Sequence, residues 1–244
     1  MRKTSYFSLL CKRNIAIMFL SNMAIGLMDG PMRWLLPLLL MEKGGPFLVG
    51  LSFSIANLGD TVIALLGGQF SDRFGRKIML VISSLFYAIG SLLLFLAFWQ
   101  GSLNFIIIGM IATIFIYGLS GISSGSTLAL ITESISEEDA GKALSLVSFG
   151  GLMGRILGSS FIGILFKTKP VEALIAMTVF SAISVLLRLQ LKETFALDSE
   201  GISTFMRTLT EIKRNKIIIV ISHDPSLSNI ADKIIKFPIN QGTF

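Results

Sequence analysis

The sequence predicts an all-α membrane protein, a bundle of six transmembrane helices followed by a short cytoplasmic tail. Three observations lead there. Hydrophobic residues make up 52% of the chain and charged residues only 15%, against roughly 25% charged in an ordinary soluble domain. Six apolar runs each reach the ~20 residues a helix needs to cross about 30 Å of hydrocarbon at about 1.5 Å per residue. The runs are continuous rather than alternating, so they lack the pattern of a membrane β-barrel, and lipid offers a backbone no partners outside its own helix.

The first run, residues 14–41, follows Arg2, Lys3, Lys12 and Arg13. That order imitates a secretory signal, but the apolar stretch exceeds the roughly 7–15 residues of a signal core and no small-residue cleavage site follows. The next runs cover 46–71, 77–99, 103–131, 141–166 and 171–189. Their connections are short and sort by charge. Arg2, Lys3, Lys12, Arg13, Arg73, Arg76, Lys77, Lys142, Arg188 and Lys192 fall on the side of the amino terminus, against Lys43, Lys167 and Lys169 on the other. Basic residues are retained in the cytoplasm, which predicts a multi-pass protein of the cell membrane with a cytoplasmic amino terminus. Trp99 is expected at the outer interface.

The net charge of +6 is explained by the same retention, so nucleic acid is not expected as a partner. Cys11 is the only cysteine, which leaves no internal disulfide and no thiolate metal site. No catalytic residue, metal or cofactor is expected, and the chain is not read as an enzyme.

Residues 1–191 form the predicted membrane domain and 192–244 a cytoplasmic loop and atypical tail. A seventh span begins at Ile217-Ile218-Ile219-Val220-Ile221, but Ser222-His223-Asp224-Pro225 ends it far short of membrane thickness. Glycines recur four residues apart at Gly26 and Gly30, at Gly121 and Gly125, and at Gly150, Gly154 and Gly158. That spacing puts each set on one helix face and predicts close helix packing. The first and fourth spans share it, as two inverted three-helix repeats would require.

The connection between the second and third spans reads Gly68-Gln69-Phe70-Ser71-Asp72-Arg73-Phe74-Gly75-Arg76-Lys77. Its glycines suggest a turn that reverses two helices within a few residues, carrying one acid and three bases at the membrane surface. This loop resembles the signature between helices two and three of major facilitator superfamily transporters, and the chain resembles their amino-terminal six-helix half. The segment Ala129-Leu130-Ile131-Thr132-Glu133, with Glu137, Glu138, Gly141 and Lys142, is similar to the family's link from helix four to helix five. Leu189-x-Leu191-x-Glu193 is similar to its exit from helix six. The resemblance implies a gating group of Gly68, Asp72, Arg73, Gly75, Arg76, Lys77 and Glu133, in which Asp72 latches the opposite half and Arg76 engages Glu133.

Charges inside the spans are the other candidates. Asp29 and Arg33 lie four residues apart on one helix face, and Asp60 and Arg155 fall near the middle of the second and fifth spans. An ionised group there costs several kcal/mol unless paired or hydrated, which makes it a functional candidate by default. By residue counting Asp29, Asp60 and Arg155 share one depth. They are expected to line a polar cavity, with Arg155 binding an anionic group or countering a carboxylate and an aspartate exchanging a proton. The alternative is a structural ion pair fixing helix register. Asp29 followed by Pro37 resembles drug-exporting branches of the family, whereas Ile114 before Gly118, and Arg155 after Gly154, depart from the proton-driven exporters' Arg and Gly-Pro.

In the tail, Val220-Ile221-Ser222-His223-Asp224 and Ala231-Asp232-Lys233-Ile234-Ile235 weakly resemble the switch-histidine region of ATP-binding-cassette and Rad50-like ATPases. The chain has no Gly-x-x-x-x-Gly-Lys-Ser/Thr loop, so nucleotide hydrolysis is not expected. The functional expectation is secondary transport, symport or antiport, of a small solute, with protons as a candidate coupling ion. One six-helix half is incomplete for that mechanism, and a homodimer or second half is expected to complete it. The alternative is a truncated, non-transporting half or a membrane partner subunit.

Overall fold

A computed structural model describes residues 5–100 and 104–192, and among them every regular element is a helix. A short helix, Tyr6–Leu10, precedes six helices long and apolar enough to span a bilayer: Arg13–Glu42, Gly44–Phe74, Arg76–Trp99, Phe105–Ser134, Glu138–Thr168 and Pro170–Leu189. These are the six expected runs, with ends shifted by a few residues. Helical hydrogen bonding continues past the apolar stretch, as in the turn Asp72 to Phe74, because water and headgroups solvate polar side chains at the interface.

The reversals are tighter than the glycine-rich loop suggested. Where the first span passes into the second, the helical backbone is broken at one residue, Gly45, at φ 73° and ψ 174°. The second and third are separated by Gly75, at φ 96° and ψ 151°. Both sit in a backbone region that essentially only glycine enters. Gly68, by contrast, is helical, and a Cβ there would meet nothing within 4 Å. The fourth span also departs from the uninterrupted helix expected of it. It passes through a π turn at Ile114–Gly118 and a 3-10 turn at Ser120–Ser123 before resuming as Ser124–Ser134.

Glycine contacts explain how the helices approach. The first and fifth spans touch backbone to backbone: a Cβ added at Gly30 would lie 2.8 Å from the Cα of Arg155, one at Gly158 would lie 2.7 Å from the Cα of Leu27, and Gly26 and Gly154 face each other. The second and fourth spans do the same, Gly59 against Gly118 and Gly67 against Ile122. Small residues allow such contact where burial from lipid gives little drive. The two pairings are related by the internal repeat, since spans four to six repeat one to three and the first/fifth contact becomes fourth/second. Gly26 and Gly121, Gly30 and Gly125, Gly59 and Gly154, and Asp60 and Arg155 all stand 95 residues apart (26 to 121, 60 to 155). Gly125 is the exception in packing, with open space around it.

Two apolar clusters close the bundle. One gathers Met32, Leu36, Leu94, Phe105, Ile162 and Met177, and the other gathers Ile15, Met18, Leu80, Leu130, Val147 and Leu191. The first span is the most enclosed, 61% buried, and the second the least, 11% buried. The start of the first span is tied to the exit of the sixth: Asn14 donates to the Lys192 carbonyl and accepts from its amide, and Arg13 donates to the Gln190 carbonyl.

Candidate functional site

Between the two apolar clusters lies a polar cavity of about 290 Å³. Residues from the first, third, fourth, fifth and sixth spans line it, among them Asn22, Ser83, Tyr87, Thr127, Arg155 and Arg188. Gly26 and Gly151 also line it, so the close approach of the first and fifth spans forms part of its wall. Ser83 lies one helical stretch beyond Gly75 and Arg188 one residue before the end of the sixth span, which puts the cavity in the half of the bundle nearer the Gly75 reversal.

Behind Arg155 sits Asp29, 1% exposed. Its Oδ2 accepts from Arg155 Nε at 2.8 Å and from Arg33 Nε at 3.1 Å. Its Oδ1 is buried and has no hydrogen-bond partner. The carboxylate therefore ties the first span to the fifth while keeping one oxygen uncommitted. The Arg155 side chain is half exposed, so the cost of burying the pair falls mainly on Asp29. Of the four intramembrane residues singled out from sequence, the structure brings these three together.

Asp60 lies elsewhere. Its side chain presses against Gly121 of the fourth span, where an added Cβ would sit 2.9 Å from its Cγ, and it is not among the cavity's lining residues. Equal depth by residue counting does not imply one cavity, because depth leaves the direction around each helix open. The repeat relation locates Asp60 better: it is the counterpart of Arg155, resting on Gly121 as Arg155 rests on Gly26.

At the Gly75 reversal, Arg76 joins two acids. Its Nη1 donates to Asp72 Oδ1 at 2.7 Å and to the Ser71 carbonyl at 3.2 Å, while Nη2 lies 3.0 Å from Glu133 Oε1. Asp72 is exposed and Glu133 largely covered. The bridge links the end of the second span, the start of the third and the end of the fourth. Ser126 reinforces it one turn deeper by donating to the Ser71 hydroxyl at 2.9 Å. Arg73 instead lies over the ring of Phe74, 5.5 Å from its centroid.

Arg188 is the residue that sequence reasoning passed over, counting it only as a cytoplasmic-side charge. It is 3% exposed. Nη1 donates to the Leu80 carbonyl at 2.8 Å and Nη2 to Asn22 Oδ1 at 3.0 Å, whereas Nε has no partner. Its place inside the end of an otherwise apolar run, four residues ahead of Lys192, was the available signal. Among the described residues no group of His, Cys, Asp and Glu could hold a metal ion. Glu193 and the tail residues around His223 lie outside the described residues.

Comparison with known proteins adds three findings. A family model described as Major Facilitator Superfamily matches residues 16–222. Multidrug resistance protein MdtG of Yersinia enterocolitica is 30% identical over 196 residues, covering 76% of this chain and 45% of that protein, and MdtG of Enterobacter lignolyticus is 36% identical over 134 residues, covering 54% and 30%. The chain thus spans less than half the length of these curated relatives. Among solved structures, the D-xylose-proton symporter superposes with a TM-score of 0.56 at 18% identity, covering 84% of this chain and 54% of that one, which is a likeness of fold.

Proposed function

Because this chain belongs to the major facilitator superfamily, we propose that its six helices form one bundle of a secondary transporter that moves a small solute by alternating access. Such transport needs two six-helix bundles rocking about a site near the midplane. The six helices, in a membrane domain of residues 1–191, supply one of the two, and the curated relatives are more than twice as long as the stretch matched here. The amino terminus, the Gly75 reversal and the sixth-span exit face the cytoplasm of a cell membrane, in line with the distribution of Lys and Arg.

The observation that carries this reading is Asp29. A carboxylate buried among apolar helices, bonded by two arginines through one oxygen and unbonded through the other, sits against a polar cavity. Oδ1 is where a proton would be received, and protonation would loosen the hold on Arg155, coupling proton occupancy to the first/fifth span contact. Arg76, with Asp72 and Glu133, holds the cytoplasmic end of the bundle in one arrangement. Asp60, on the little-buried second span, is a second candidate for proton exchange. Relatives named for multidrug resistance and a structural neighbour named for D-xylose and protons put drugs and D-xylose among the solutes to try.

The test is solute-driven proton movement in proteoliposomes containing the full chain and a trapped pH-sensitive dye. A panel of drugs, D-xylose, small carboxylates and phosphate monoesters should include one compound whose addition moves protons, and Asp29→Asn should abolish that movement. Unchanged coupling in both Asp29→Asn and Asp60→Asn would sink the proton role. A chain that stays strictly monomeric and moves no solute would favour the alternative, a non-transporting half or partner subunit.

A further inference from the structure

We infer that the cavity binds a small oxyanion-bearing solute, a carboxylate or a phosphate monoester, with Arg188 as its principal ligand. The inference rests on reading the cavity as a solute site, and it assigns the charge of what enters. Arg188 is buried, and both acceptors it has found, the Leu80 carbonyl and the Asn22 amide oxygen, are neutral. Among the described residues no carboxylate pairs with it, and its Nε is left without a partner.

A buried guanidinium without a counter-ion is costly, and it persists where something else brings the negative charge. Nothing in the cavity wall does so. The lining contains two arginines and no aspartate or glutamate. Asp29 stands behind Arg155 rather than in the wall, and it is already shared between Arg155 and Arg33. Three arginines thus answer to one carboxylate, and Arg188 is the one left out.

The rest of the wall suits an anion's remaining lone pairs. Ser148 lines the wall, and Ser83, Ser123 and Thr127 can turn their hydroxyls from the carbonyls they now serve, an exchange favoured because hydrogen bonds to an ionised acceptor are the stronger kind. The cavity offers about 290 Å³ within this bundle, room for a carboxylate or phosphate head group. A cation would meet the same sign of charge, and a neutral solute would leave Arg188 uncompensated.

The full chain in nanodiscs of uncharged phosphatidylcholine is titrated calorimetrically with benzoate and with glycerol 3-phosphate, against glycerol and choline as neutral and cationic controls. Saturable binding of at least one anion and of neither control is expected, and the better anion identifies the head group. Arg188→Gln should weaken that binding at least tenfold. Asn22→Asp places a carboxylate on the atom already 3.0 Å from Arg188, and it should abolish anion binding while the empty protein melts no lower than the parent. No saturable anion binding, or undiminished binding in Asn22→Asp, overturns the inference, and the second variant decides if Arg188→Gln does not fold. The readout is binding, so an anion that binds but is not moved would count against the transport proposal alone.

Discussion

Asp60 in the second span and Arg155 in the fifth occupy the same place in the two three-helix repeats, each resting on a glycine of its partner helix, yet among the described residues only Arg155 of the two has an ion partner. The counterpart of Asp29 in the second repeat is Ser124, again 95 residues on (29 to 124). Where the first repeat supplies a carboxylate, the second supplies a hydroxyl. Equivalent places thus hold a paired cation in one repeat and, among the described residues, an acid without a matching base in the other.

That asymmetry predicts opposite effects of two substitutions at one site. Ser124→Arg should place a cation within reach of Asp60 and stabilise the protein by about 0.5–1 kcal/mol, as a partly exposed pair does. Ser124→Asp should cost a similar amount through like-charge repulsion. Thermal unfolding of both in the same detergent reads the sign, and equal shifts would mean that residues 60 and 124 do not meet.

The pair of Asp29 and Arg155 should respond unequally to loss of either member. Asp29 has 2% of its side chain exposed and Arg155 has 49%. Asp29→Asn leaves a guanidinium that the cavity can hydrate, whereas Arg155→Gln leaves a buried carboxylate held by Arg33 alone. Breaking a buried pair from the side that strands the deeper charge is the more damaging choice. Arg155→Gln is expected to cost about 1–2 kcal/mol more than Asp29→Asn, with the double variant less damaging than the sum, as coupled neighbours require. A double-mutant cycle by denaturant unfolding checks this.

Hydrophobic run length and the Gly75 signature made the six spans and the family legible, because membrane thickness and backbone satisfaction constrain them so heavily. What stayed hidden depended on direction around a helix. Asp29, Asp60 and Arg155 could be placed at one depth from sequence, but which of them meet is a matter of azimuth. Arg188 looked like a boundary charge because a buried guanidinium and a snorkelling one have the same sequence context. The π turn at Ile114–Gly118 had no compositional warning, since apolar residues fill either helix type. The 95-residue correspondence was available throughout and, once Arg155 is seen against Gly26, places Asp60 against Gly121.

Identical glycine spacing should not mean identical importance. Gly30→Ala would drive a Cβ to 2.8 Å from the Cα of Arg155, a backbone contact that cannot swing aside. Overpacking of this kind costs about 1–3 kcal/mol. Gly125→Ala and Gly68→Ala meet open space inside helices, where replacing glycine favours the fold by roughly 0.5–1 kcal/mol. Melting temperatures should therefore fall for the first and hold or rise for the other two. Should Gly68→Ala melt normally yet abolish solute movement, its role would lie in the assembled transporter rather than in this bundle.

The Gly75 reversal and the Arg76 bridge should fail in distinguishable ways. Gly75→Ala forces a Cβ onto φ 96° and ψ 151°, at an expected strain of about 1–3 kcal/mol whatever the salt concentration. Arg76→Lys keeps the charge but loses the fork that reaches Asp72 and Glu133 together, since an ammonium acts as a point charge. Asp72 is 73% exposed, so Asp72→Asn should change stability by less than about 0.5 kcal/mol. Glu133 is only 15% exposed, and Glu133→Gln, which withdraws a covered counter-charge from Arg76, should cost more than Asp72→Asn. Unfolding at low and high salt separates the cases. The Gly75→Ala deficit should be salt-independent, whereas the gap between parent and Arg76→Lys should narrow as screening weakens the exposed arm of the bridge. A Gly75→Ala protein as stable as the parent would mean that the reversal can be made without a left-handed residue.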